Sequence, residues 1–168
     1  EAEVKADHFP LALQPTGEQV ACCMTELQAV SVRDAHTGAE LRRLGPFEGW
    51  FAGARYSREG SCLSIFGAWG TKVYETATGE LRHTLVDKPD TNAHDCAVDP
   101  SGRFLAVTGW SGAAFVKDMR SGDNLHPLDD SNTTFGVGFD DRGARMAYFL
   151  RGYCSDRNGQ VILCEATD

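Results

Sequence analysis

A repeat runs through this chain four times, and it constrains the fold more than any single residue does. VRDAHTGAELRRL, Val32 to Leu44, returns as VYETATGELRHTL, Val73 to Leu85, 41 residues further on. In both, a carboxylate stands two places after the Val, a Thr-Gly pair follows, and a Leu comes six places after the Gly. Two sets of landmarks keep this period along the chain. A turn glycine in QPTGEQ, SREGSC, DPSGRF and DDRGAR falls at Gly17, Gly60, Gly102 and Gly143, with spacings of 43, 42 and 41. An acidic residue in VRD, VYE, VKD and LCE falls at Asp34, Glu75, Asp118 and Glu165, with spacings of 41, 43 and 47. A Thr-Gly or Ser-Gly turn follows the first three, at Gly38, Gly79 and Gly122. A period of this length means stacked or radially arranged units rather than one irregular domain.

Each unit alternates short apolar runs with turn residues. In the third, Cys96 to Val98, Phe104 to Thr108, Ala114 to Lys117 and Leu125 to Leu128 are predicted strands a to d, separated by DPSG, WSG and SG turns. Gly and Pro supply the fixed or positive φ that tight reversals need. No window sustains the i, i+3, i+4 apolar pattern of a helix. Four short antiparallel strands repeated about every 42 residues describe one blade of a β-propeller. The expected fold class is therefore all-β, with four antiparallel four-stranded repeats over residues 8–46, 47–88, 93–130 and 133–168, forming a single segment.

The units resemble WD-repeat blades of the bacterial, degenerate style, from Phe9 to Thr167: an apolar strand, a Pro-Asp-Gly-like turn, further strands, an acidic residue closing the third strand, and Thr-Gly before the last. The resemblance departs from the family pattern where the Trp of the Trp-Asp pair is replaced by Arg33, Tyr74, Lys117 and Cys164. The Gly-His pair and the aspartate of the b–c turn are missing too. Without that hydrogen-bonded network, the blades are expected to rely on apolar packing between neighbouring sheets. Rings of this repeat type resemble seven- or eight-bladed propellers, and the fourth unit reaches Asp168 where the others run on into a Gly turn and an outermost strand. The expectation is a segment of a larger ring, with a self-contained half-ring or a pair of four plus four blades as the alternatives. Open blade edges would allow self-association.

Composition narrows the partners. With 16 Lys and Arg against 24 Asp and Glu, the net charge is −8, which disfavours a nucleic-acid backbone or an acidic membrane. The longest apolar runs are far short of a spanning helix. Six cysteines, Cys22, Cys23, Cys62, Cys96, Cys154 and Cys164, form no Cys-x-x-Cys pair, so free thiols in a reducing, cytoplasmic setting are expected. The vicinal Cys22-Cys23 pair reads as core filling.

Alternating strands put the a–b and c–d turns on one side, and the b–c turns and blade-to-blade loops on the other. On that second side stand Trp50, Trp69, His94, Asp95, Trp110 and a long insertion holding Arg151, Tyr153, Asp156 and Arg157. Aromatic anchors beside Arg suit a protein-recognition surface; the competing reading has each Trp capping its own blade. The insertion has a binding reading and a tolerated-loop reading. His94 and Asp95 are adjacent, so on a strand they point to opposite faces and form no catalytic pair. The five histidines lack metal-ligand spacing, with His36, His83 and His126 in or just after c–d turns, and no nucleophile elbow, phosphate loop or dinucleotide fingerprint is present. No enzyme activity, cofactor or metal is expected. The sequence points to a non-catalytic scaffold for protein–protein contacts, the alternative being the propeller portion of a larger enzyme or sensor that binds a cofactor or gates a substrate at the central channel.

Overall fold

A computed structural model describes residues 8–85, 93–109, 115–127, 133–151 and 159–166. The first sheet holds β1 (His8–Leu13), β2 (Gln19–Met24), β3 (Ala29–Asp34) and β4 (Glu40–Leu44). The second holds β5 (Phe51–Tyr56), β6 (Cys62–Gly67), β7 (Gly70–Glu75) and β8 (Leu81–Leu85). The third holds β9 (Ala93–Val98), β10 (Phe104–Gly109), β11 (Phe115–Asp118) and β12 (Asn124–Pro127), and the fourth β13 (Thr133–Phe139), β14 (Arg145–Arg151) and β15 (Gln160–Glu165). Every sheet is an antiparallel meander in chain order, and there is no helix among the described residues.

The glycine landmarks are the reversals. Gly17, Gly60, Gly102 and Gly143 all sit at φ between +69° and +76°, a region that a Cβ makes costly. Each donates its N–H to the carbonyl three residues back, on Gln14, Ser57, Asp99 and Asp140. Gly38, Gly79 and Gly122 reach back four residues instead, to the carbonyls of Asp34, Glu75 and Asp118. The acidic landmarks therefore have a local task. Asp34 Oδ1 accepts the N–H of His36 at 3.0 Å, and the N–H and hydroxyl of Thr37 at 2.7 and 2.9 Å. Glu75 accepts from the Thr78 hydroxyl at 2.8 Å and from Arg82. Asp118 accepts from Arg103 at 2.7 and 2.9 Å and from the Arg120 N–H at 2.8 Å. A carboxylate within three or four residues of the turn satisfies donors that the tight backbone would otherwise leave to water.

These donors set the acid limit of stability. Hydrogen bonds from Thr37, Thr78, Arg103 and the Arg145 N–H hold the carboxyls of Asp34, Glu75, Asp118 and Asp140, respectively, below their ordinary values. A depressed folded pKa means the unfolded chain binds more protons in that interval, so this stability is present above the ordinary carboxyl range and lost as pH falls through the folded values. Burial also lowers His83 and His94 from the ordinary 6.5, and those imidazoles contribute a loss that begins as the pH drops below that value. The melting temperature is thus expected to fall shallowly below pH 6.5 and steeply below about 4.5, as followed by circular dichroism between pH 8 and 2. A rise on acidification would contradict the sign.

Among the described residues, the buried hydrophobic side chains gather in three layers, each between two consecutive sheets. Ala21, Val30, Val32 and Leu44 meet Ala54, Leu63, Ile65 and Tyr74 between the first and second. Cys62, Phe66, Val73 and Leu85 meet Cys96, Leu105, Val107 and Phe115 between the second and third. Ala106 and Val116 meet Met146 and Tyr148 between the third and fourth. Leu44 and Leu85, the leucines of the repeated motif, are buried in these layers. The expected reliance on packing between sheets is what the layers show. Pairing across β2 and β3 sends Cys22 and Cys23 to opposite faces, both buried, and burial pushes both thiols up, which removes nucleophilic character.

Candidate recognition site

The first strands of successive sheets, β1, β5, β9 and β13, are neighbours. Each carries a bulge, an extra residue that bends the strand and re-aims side chains. At their N-terminal ends three rings from three sheets come together. Trp50, 44% exposed, enters β5; its ring centroid lies 5.8 Å from that of His94 on β9, which lies 4.9 Å from Phe135 on β13. Burial keeps the His94 imidazole below its ordinary pKa, so near neutrality it is uncharged and packs as an aromatic.

Asp95 holds this row from beneath. The sequence placed His94 and Asp95 in the blade-to-blade region, before a strand starting at Cys96; both lie within β9, which begins at Ala93. A carboxylate is accepted inside a strand here because its oxygens are fully used. Arg55 Nε and Nη2 on β5 donate to Oδ1 and Oδ2 at 3.1 and 3.2 Å. The Cys96 N–H donates to Oδ1 at 2.9 Å, and the Val137 N–H on β13 to Oδ2 at 3.3 Å. One buried side chain therefore ties the inner strands of the second, third and fourth sheets, and is not presented outward for a partner. On the next rung, the Thr134 hydroxyl accepts from the Gly109 N–H at 3.0 Å and donates to the Gly109 carbonyl at 3.2 Å.

Trp69 has an internal role. Its indole stacks on Phe47 at 4.9 Å and 28°, and meets Phe51 edge-on at 4.8 Å. It caps the layer between the first two sheets, as the second of the two readings has it. The segments bearing the two tryptophans are joined by a bond from the Ala68 N–H to the Trp50 carbonyl at 3.0 Å, and a Cβ at Gly67 would collide with that carbonyl and with the Trp69 ring. Trp110, Tyr153, Asp156 and Arg157 lie outside the described residues; Arg151 ends β14. His83, which the sequence places in or just after a c–d turn, is half-buried within β8, since strand d begins before it. His36 is exposed.

Sequence reasoning missed Phe47, Arg55 and Phe135. Phe135 had a usable signal, since it stands eight places before Gly143 as His94 does before Gly102. Among the described residues no three His, Cys, Asp or Glu side chains converge as a metal set would. His94 and Asp95 turn to separate partners, so they form no dyad. No described helix is long and apolar enough to cross a membrane.

No protein-family model matches the sequence, and no curated protein does. Among solved structures, the chain is similar to the β-propeller domain of Cps50 (Swd1) from Myceliophteria thermophila, with a TM-score of 0.75 over 88% of this chain. The four sheets are propeller blades. Identity is 13% and the match takes in 50% of that chain, so this chain spans about half the length of the solved propeller, and the likeness carries the fold alone. In blade terms, the Trp50, His94 and Phe135 row stands at one end of the innermost strands of blades two to four.

Proposed function

We propose that the chain is a non-catalytic, WD-repeat-type scaffold for protein–protein contacts, with its recognition surface at the blade end marked by Trp50, His94 and Phe135. The observation that carries this is the row itself. Three blades each send one ring to the same place, and the outermost, Trp50, keeps much of its surface open to a partner. Rigid aromatic side chains at the ends of paired strands offer large contact area at low entropic cost, which is the usual character of an interface anchor. Asp95, Arg55 and Thr134 preset the strands beneath, so binding would require little ordering. The strand alternation read from the sequence assigns Trp110 and the segment with Arg151, Tyr153, Asp156 and Arg157 to the same surface, and they are included in this proposal on that reading alone.

The experiment compares proteins retained by the immobilised chain and by its Trp50→Ala variant, identified by mass spectrometry. At least one protein held by the wild type is expected to be lost, while the strand signal in circular dichroism is unchanged. Identical retention by wild type, Trp50→Ala and Phe135→Ala would defeat the reading.

A further inference from the structure

The repeat allows one junction between blades to be compared with the next, position by position. Two residues after the turn glycine, opposite the acidic landmark, stand Gln19, Cys62 and Phe104. Facing them from the following blade, four residues before its turn glycine, are Tyr56, Val98 and Phe139. One residue after that blade's acidic landmark come Thr76, Met119 and Ala166, whose N–H groups donate alike to the carbonyls of Ser61, Arg103 and Ala144. Between blades two and three, Cys62, Val98 and Met119 all belong to the apolar layer. Phe104 and Phe139 belong to the layer between blades three and four, and Ala166 is fully buried. Between blades one and two the set is Gln19, Tyr56 and Thr76, and every member is polar.

A polar set between sheets needs partners, because a hydroxyl or amide shut away from water without a hydrogen bond is costly. Gln19 Oε1 and the hydroxyls of Tyr56 and Thr76 are all excluded from solvent and find no partner among the described residues. The three residues line one cavity, together with Val32, Leu44 and Leu63. It has about 10 Å³ of room for the centre of a water-sized sphere, about what a single water needs. Arg42 and Glu75 also line it, and both are engaged, Arg42 with the Thr76 carbonyl and Glu75 with Thr78 and Arg82. An ion of either sign would meet a like charge there, whereas a neutral ligand would not. Burial pushes the Tyr56 phenol up to about 12, so near neutrality it remains a hydroxyl with a proton to donate.

We infer that this cavity is a binding site for one water molecule, which accepts a hydrogen bond from the Tyr56 hydroxyl and donates to Gln19 Oε1 and Thr76 Oγ1. About three such bonds are usual for an internal water. The water joins blade one to blade two at the place where Cys62, Val98 and Met119 join blade two to blade three by apolar contact. The inference is independent of the recognition reading, since Trp50, His94 and Phe135 take no part in the cavity.

The test compares the wild type with a triple variant, Gln19→Cys, Tyr56→Val and Thr76→Met, which writes the residues of the second junction into the first. A high-resolution crystal structure of the wild type is expected to show one density peak within hydrogen-bond distance of all three side chains, and that of the variant none. In solution, oxygen-17 magnetic relaxation dispersion should count one long-lived internal water fewer in the variant. Wild-type side chains that bond directly to one another with no peak between them overturn the inference. So does an anomalous signal at the peak after bromide or rubidium soaking, which would make the occupant an ion, and so do equal counts of long-lived waters in the two proteins. If the triple variant failed to fold, the wild-type density alone would decide.

Discussion

Phe47→Ala is expected to cost about 4 kcal/mol, a loss in the range measured for emptying a fully buried aromatic position, and to lower the melting temperature by roughly 10 °C for a chain of this size. Phe47 is 1% exposed and stands between the first two sheets in the middle of a cluster of aromatic rings. It touches Phe51 edge-on at 5.3 Å, Trp69 in a stack and Tyr74 edge-on at 6.4 Å, and Lys72 Nζ lies 5.1 Å above it. Truncation would remove the surface on which Trp69 rests as well as the burial of the ring itself. The change should therefore appear twice, as a lower melting temperature and as a red shift of tryptophan emission. Phe47→Leu, which keeps most of the volume, should recover more than half of the loss. Equal losses for Ala and Leu would show that ring stacking rather than filled volume carries the effect.

Asp95→Ala comes next, at about 2 kcal/mol, the scale of hydrogen bonds to a charged acceptor. The ion pair with Arg55 is not the main part of that figure. The guanidinium is 59% exposed, and an exposed charge pair contributes little once screened. The larger part is the Val137 N–H left without its acceptor and the loosened join between blades three and four. Asp95→Asn, which keeps one acceptor oxygen, should lose less. Arg55→Ala should lose least of the three, which chemical denaturation of the set would resolve. An Arg55→Ala loss equal to that of Asp95→Ala would transfer the effect to the ion pair. Because His94 is the preceding residue, Asp95→Ala should also loosen the aromatic row, so partner retention through Trp50 would decline along with stability.

The two outcomes locate what a sequence of this kind reveals. Gly17, Gly60, Gly102 and Gly143 were readable because the requirement is local: a reversal at positive φ admits little else, and no distant residue is consulted. Leu44 and Leu85 were readable for a related reason, since strand alternation and the fixed distance from the turn decide which face they take. Asp95 was not. A carboxylate in a strand looks misplaced until Arg55, 40 residues earlier, and the Val137 N–H, 42 residues later, are brought alongside. Phe47 was hidden differently. It lies in a Gly-Pro-Phe connection that reads as loop, and its burial depends on two sheets closing over it. Of the tryptophans, Trp50 and Trp69 share a side by alternation, yet only packing separates the exposed ring from the one that caps a layer.

Among the described residues, the buried apolar side chains are divided into three separate strata, each owned by two adjacent blades. Such a chain has no single centre whose loss dissolves everything; its coherence passes from neighbour to neighbour along one dimension. Whole units can be duplicated or removed by rebuilding only one junction, which makes the number of blades an easier property to change during descent than the shape of any one of them.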